Sequence, residues 1–82
     1  MKPYDCRVTG QVIRRLRRER RMTQDVLSGL AGIARSHLAM IEAGSKDAAV
    51  DTLWCIADAL ALRLSEVIRM IEDYQDHDAS QA

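Results

Sequence analysis

Apolar residues recur along the chain at helical spacing, in blocks separated by polar or glycine-containing breaks. Val12, Ile13 and Leu16 form the first block. They fall on one side of a helix predicted over about Gly10 to Arg20, with Thr9 as its N-cap. Thr23 caps a second helix, where Asp25 suits the positive end of the dipole and Leu27, Leu30 and Ala31 make the stripe. Gly32 interrupts that stripe. Ile33, Leu38 and Ile41 restart it in a third helix, from residue 34 or 35 to Ala43, which Gly44 ends as a left-handed residue. A fourth helix is expected over Ala49 to Leu60, capped by Asp47, with Val50, Leu53, Ile56, Ala57 and Leu60 inward and Trp54 at the edge of the stripe. A fifth begins near Leu64 and carries Leu64, Val67, Ile68, Ile71 and Tyr74 along one face. Residues 1–8 read as a flexible arm, 9–75 as the folded domain and 76–82 as a disordered tail.

A glycine-containing turn between two short striped helices, Thr23 to Gly44, is the layout of a helix-turn-helix. Thr23, Gln24, Leu27, Gly32, Leu38, Ile41, Glu42 and Gly44 resemble the Cro and phage-repressor type, the lambda-repressor-like family. Ile13, Leu16 and Arg17 match its first helix, Thr52, Leu53, Ile56, Ala57 and Leu60 its fourth, and Leu64, Glu66, Val67 and Ile68 its fifth. The ordered series spans roughly residues 10 to 70, which is far more specific than any one of its elements. The resemblance implies an all-α, compact five-helix domain. It also implies a sequence-specific, double-stranded DNA-binding transcriptional regulator, a small repressor or controller that needs no cofactor. The chain departs from the family pattern at Ala34 and Ala49, where Ser commonly caps a helix, and at Ala48, Ala61 and Arg63, which replace Pro, Gly and Ser. Each lost cap costs about 1 kcal/mol.

Charge sharpens this picture. The net charge is zero, but residues 1–46 carry ten Lys/Arg against four Asp/Glu, and residues 47–82 carry two against eight. Local sign governs attraction to phosphate, because screening acts over about 8 Å. The basic half therefore suits nucleic acid, and the acidic end belongs away from it. The cluster RRLRRERR at 14–21 is either a solvated helix face or a source of phosphate contacts.

On a 100° wheel, Leu38 and Ile41 of the third helix point inward, while Ser36, Ala39, Met40 and Ala43 point outward. The N-terminal residues of a recognition helix meet base edges. Arg35, Ser36 and His37 are thus the expected readers, with Ala39 and Met40 able to touch only thymine methyls or fill space. Arg14, Thr23, Gln24, Ser45 and Lys46 are expected at phosphates. The family commonly pairs an Arg of the first helix with a Glu of the third, which implies an ion pair between Arg17 and Glu42. His37 has no second ligand one helical turn away, so no metal is expected.

Eighty-two residues make one marginal domain that gains from oligomerisation. Val67, Met70, Ile71 and Tyr74 outlast what a small core needs, so they predict a homodimer reading an inverted repeat. No apolar run approaches a membrane span, and the N-terminus lacks the apolar core of a signal peptide. The expectation is a cytoplasmic chain with Cys6 and Cys55 as free thiols. A protein-interaction module, or an antitoxin-like partner protein on the same fold, is the alternative function. No nucleophile–base pair, paired carboxylates, metal cluster or small-molecule pocket is evident, so no enzyme is expected.

Overall fold

The structure, a computed structural model, describes residues 4–81. Its regular elements are α1 (Cys6–Glu19), α2 (Gln24–Ala31), α3 (Arg35–Ala43), α4 (Val50–Ala59) and α5 (Leu64–Gln81), with no strand among the described residues. α1 packs against α3 and α5, α2 against α3 and α4, and α4 against α5.

The core draws on every helix. Val8, Val12, Ile13 and Leu16 come from α1, Leu27 and Ala31 from α2, and Leu38 and Ile41 from α3. Leu53, Ile56, Ala57 and Leu60 come from α4 and its end, and Val67 and Ile71 from α5. Each fully buried Leu, Ile or Val contributes about 1.5–3 kcal/mol. α1 and α3 cross closely at Gly10, where a Cβ would collide with the carbonyls of Ile41 and Glu42.

Helix ends follow one plan. Thr23 Oγ1 accepts from Val26 N–H at 3.1 Å to start α2. At the start of α5, Glu66 Oε1 accepts from the Arg63 amide at 2.9 Å, half of a capping box. The last turns of α1 to α4 each close with an amide reaching back five residues: Met22 to Arg17, Ile33 to Ser28, Ser45 to Met40 and Leu62 to Ala57. The left-handed residue in each turn is Arg21, Gly32, Gly44 and Ala61, at φ of 56°, 71°, 77° and 59°. Two of the four therefore lack glycine.

Several expectations are corrected. α1 starts at Cys6, one turn earlier than Gly10, because Asp5 is its N-cap and accepts from Arg7 N–H at 2.9 Å. Thr9 is buried in the helix, with its hydroxyl hydrogen-bonded to Tyr4 Oη. Residues 6–8 of the expected arm are thus helical, and residues 1–3 lie outside the described residues. α5 continues to Gln81, through most of the expected tail, because no Gly or Pro interrupts it; Ala82 lies outside the described residues. Asp47 does not cap α4, whose N-cap is Ala49 with no side-chain bond. Val50, expected inward, is 68% exposed in the first turn of α4.

The largest correction concerns the expected dimer face. Val67 and Ile71 are buried in the chain's own core, and Met70 and Tyr74 pack against it half-buried. The early start of α1 supplies the cover. α1 lies along α5, and beyond its start the Asp5 amide donates to Gln75 Oε1 at 3.3 Å. Among the described residues, the large apolar side chains that remain exposed on α4 and α5 are Val50, Trp54 and Ile68.

Candidate nucleic-acid interface

α2 and α3 form the helix-turn-helix unit, and a buried ion pair locks its second helix to α1. Arg17 donates through Nε to Glu42 Oε2 at 2.8 Å and through Nη2 to Oε1 at 2.9 Å. This two-pronged pair has side-chain exposures of 11% and 2%. The bonds from the Glu42 carboxylate hold the Arg17 guanidinium above its ordinary pKa, against the cost of burial. Nη1 of Arg17 also donates to the Met22 carbonyl at 2.8 Å, which ties down the bend between α1 and α2. Gln24 Nε2 adds a third donor to Glu42, at 3.1 Å. The inner face of α3 is therefore fixed in both position and rotation.

Its outer face is open, polar at its N-terminal end and apolar at Met40. Arg35, Ser36 and Met40 are exposed, while His37 and Ala39 are half-buried. Ala34 provides no side-chain cap to the first turn, where Arg35, Ser36 and His37 stand. Arg35 has a partner on the neighbouring helix: its Nε lies 3.2 Å from Asp25 Oδ1. That contact crosses two helices, and no local pattern signals it.

The expected phosphate contacts fare differently from one another. Arg14, Thr23 and Lys46 are exposed, and Gln24 is half-buried through its bond to Glu42. Thr23 Oγ1 acts as an acceptor within the chain, which leaves its hydroxyl proton to donate outward. Ser45 spends both donors on the Met40 carbonyl, the amide at 3.1 Å and the hydroxyl at 3.2 Å. It ends α3, and in this arrangement it offers a phosphate no hydrogen.

The arginine cluster divides in the same way. Arg17 is internal, Arg20 Nε donates to the Leu60 carbonyl at 3.0 Å, and Arg15 lies 3.9 Å from Glu19. Arg14, Arg18 and Arg21 are exposed with no ion-pair partner among the described residues. Cys6 and Cys55 are free thiols. Cys6 Sγ donates to the Gly44 carbonyl at 3.3 Å, and burial with the nearby Asp47 carboxylate pushes its pKa up. That shift disfavours a reactive thiolate. Among the described residues, no group of His, Cys, Asp and Glu is arranged to hold a metal. No helix there is long and apolar enough to cross a membrane.

A capped helix, a left-handed turn and a second helix locked by its inner face define the helix-turn-helix class. Comparison with known proteins agrees. The chain belongs to the helix-turn-helix family HTH_3, which matches residues 13–67. It is 37% identical over 59 residues to the immunity repressor protein of Bacillus phage phi105. That match covers 72% of this chain but only 41% of the relative's length. Among solved structures, the restriction-modification controller protein C.AhdI from Aeromonas hydrophila is similar, with a TM-score of 0.74 and 28% identity, over 77% of this chain and 96% of that one. The clp gene regulator ClgR from Corynebacterium glutamicum has a TM-score of 0.88 over 99% of this chain and 86% of that one. At 20% identity this last likeness speaks for the fold alone. The family is one of DNA-binding regulators of transcription.

Proposed function

We propose that this chain binds double-stranded DNA in a sequence-specific way, as a small repressor or controller in the cytoplasm. α3 enters the major groove. Arg35 grips guanine O6 and N7, Ser36 and His37 reach adjacent base edges, and Met40 and Ala39 meet thymine methyls. Arg14, Thr23, Gln24 and Lys46 anchor the flanking backbone, and Arg18 and Arg21 add to the positive field. The observation that carries this reading is the pairing of a locked inner face of α3 with an exposed Arg35 and Ser36 at its N-terminal end. A reader so held presents donors at a fixed height and angle.

One recognition helix covers only a few base pairs, so a second copy supplies the missing affinity. The surface that suits it is the α4–α5 face. Trp54, 63% exposed, borders a shallow furrow with Leu62 and Leu64, which continues past Ser65 to Ile68. Asp58, Arg63, Glu66, Arg69 and Glu72 rim it. A rim of both signs around an apolar centre is self-complementary about a two-fold axis. Val50 stands one turn from Trp54 and extends the patch. The two reading helices then lie about 34 Å apart, matched to an inverted repeat.

Selection of bound sequences from a random duplex pool tests the reading. The expected product is an inverted repeat whose affinity falls with salt, by about 0.9 in log K per decade of salt for each phosphate neutralised. A pool that shows no enrichment, with binding indifferent to salt, refutes it. In that case the α4–α5 face serves a different chain, as in an antitoxin-like partner.

A further inference from the structure

We infer that Asp25 sets the sequence specificity of this chain by holding the reading side chain Arg35. The inference rests on the assignment of Arg35 as a base reader. Asp25 Oδ1 and Arg35 Nε lie 3.2 Å apart across the α2–α3 unit, with side chains 76% and 64% exposed. Asp25 stands in the first turn of α2. It is not the cap; Thr23 is. The helix therefore does not need this carboxylate to start.

Which nitrogen is held matters. A guanidinium presents five N–H donors in a flat fork. With Nε against Asp25, Nη1 and Nη2 remain at the far end, and those two can take guanine O6 and N7 together. Asp25 thus directs the fork without occupying it. A free Arg35 would be a mobile cation able to settle on any phosphate, which strengthens binding to every sequence alike. Paired with Asp25, it has less net charge to offer the backbone. The pair therefore lowers binding to wrong sequences more than binding to the right one.

Measuring affinity for the selected duplex and for a random duplex tests this, in wild type, Asp25→Asn, Asp25→Glu, Arg35→Ala and the double variant Asp25→Asn/Arg35→Ala. The readout is the ratio of the two affinities. Asp25→Asn should lower the ratio roughly two- to fivefold, the scale of an exposed ion pair, mainly by strengthening random binding. Its salt slope on random duplex should steepen by about one phosphate contact. Asp25→Glu keeps the charge and should stay near wild type. In the Arg35→Ala background the same Asp25→Asn change should leave the ratio unaltered. The inference is overturned if Asp25→Asn strengthens both duplexes equally, or if its effect survives without Arg35. It falls together with the reader assignment if Arg35→Ala alone leaves the ratio intact, and that single variant shows which of the two has failed.

Discussion

The α2–α3 and α4–α5 pairs are built alike and finished differently. Each is two helices joined by a short turn that contains one left-handed residue, Gly32 in the first and Ala61 in the second. Each buries its inner stripe in the common core. The outward faces diverge. α2–α3 shows Asp25, Arg35 and Ser36 beside Val26, Leu30 and Met40, and Lys46 follows in the next loop. α4–α5 shows Val50, Trp54 and Ile68 among mostly acidic neighbours. Hydrogen-bond donors on a fixed helix suit a polyanion with patterned edges. Exposed aromatic and aliphatic surface suits a protein. One construction plan thus supplies two interfaces, and the outer side chains decide what each can meet.

The largest expected effect lies in what locks the first pair. α3 is tied to α1 by the buried Arg17–Glu42 pair, whereas no buried ion pair holds α4 or α5 among the described residues. Arg17→Ala strands the Glu42 carboxylate and should cost about 3–5 kcal/mol. Arg18→Ala, on the exposed side of the same helix, should stay within about 0.5 kcal/mol. Thermal unfolding compares them directly. Equal melting temperatures would show that the pair adds nothing to the first unit.

The second effect lies in what covers the other pair. Trp54→Asp should weaken self-association by about 2 kcal/mol or more, the range of an aromatic anchor at the centre of an interface, while the fold survives. Ile71→Asp should instead unfold the monomer, because Ile71 is 6% exposed and a charge there has no partner. Sedimentation at micromolar concentration, together with melting curves, separates the two. A wild type that sediments as a monomer removes the dimer. A Trp54→Asp variant that stays dimeric moves the axis to another face.

The two pairs also differ in how far they can be read from residues alone. The bounds of α2 and α3 follow from Thr23, Gly32 and Gly44, each a strong local signal. The fold class follows from the stripes. The start of α1 does not, because Asp5 and Thr9 are both good caps, and burial of Val8 and Thr9 decides between them. That one missing turn carries forward: without it Ile71 looks uncovered, and the dimer face falls on the wrong side of α5. Arg35–Asp25 and Gln24–Glu42 are equally hidden, since each joins different helices. Ser45 misleads for a related reason. Its polar type suits a phosphate, but its hydrogens are spent on the Met40 carbonyl. Residue type marks a candidate; only packing shows which of its atoms are still free.

The smallest effect concerns the two turns themselves. Ala61 sits at φ 59° with its side chain exposed, so its Cβ strains the backbone. Gly32 holds the same conformation at φ 71° without that strain. Ala61→Gly should relieve the left-handed strain of roughly 1–2 kcal/mol. Part of that gain is lost to the freer unfolded chain, by about 0.4–1 kcal/mol. The net gain is about 0.5–1 kcal/mol, or roughly 2–8 °C in melting temperature for a domain of this size. Gly32→Ala should move the other way by a similar amount, because an added Cβ there meets no atom within 4 Å and only the backbone resists it. The four-way set of wild type, both singles and the exchange Gly32→Ala/Ala61→Gly should then be nearly additive. If Ala61→Gly lowers the melting temperature, the end of α4 is not left-handed in solution. The second pair would then differ from the first in its turn as well as in its outer face.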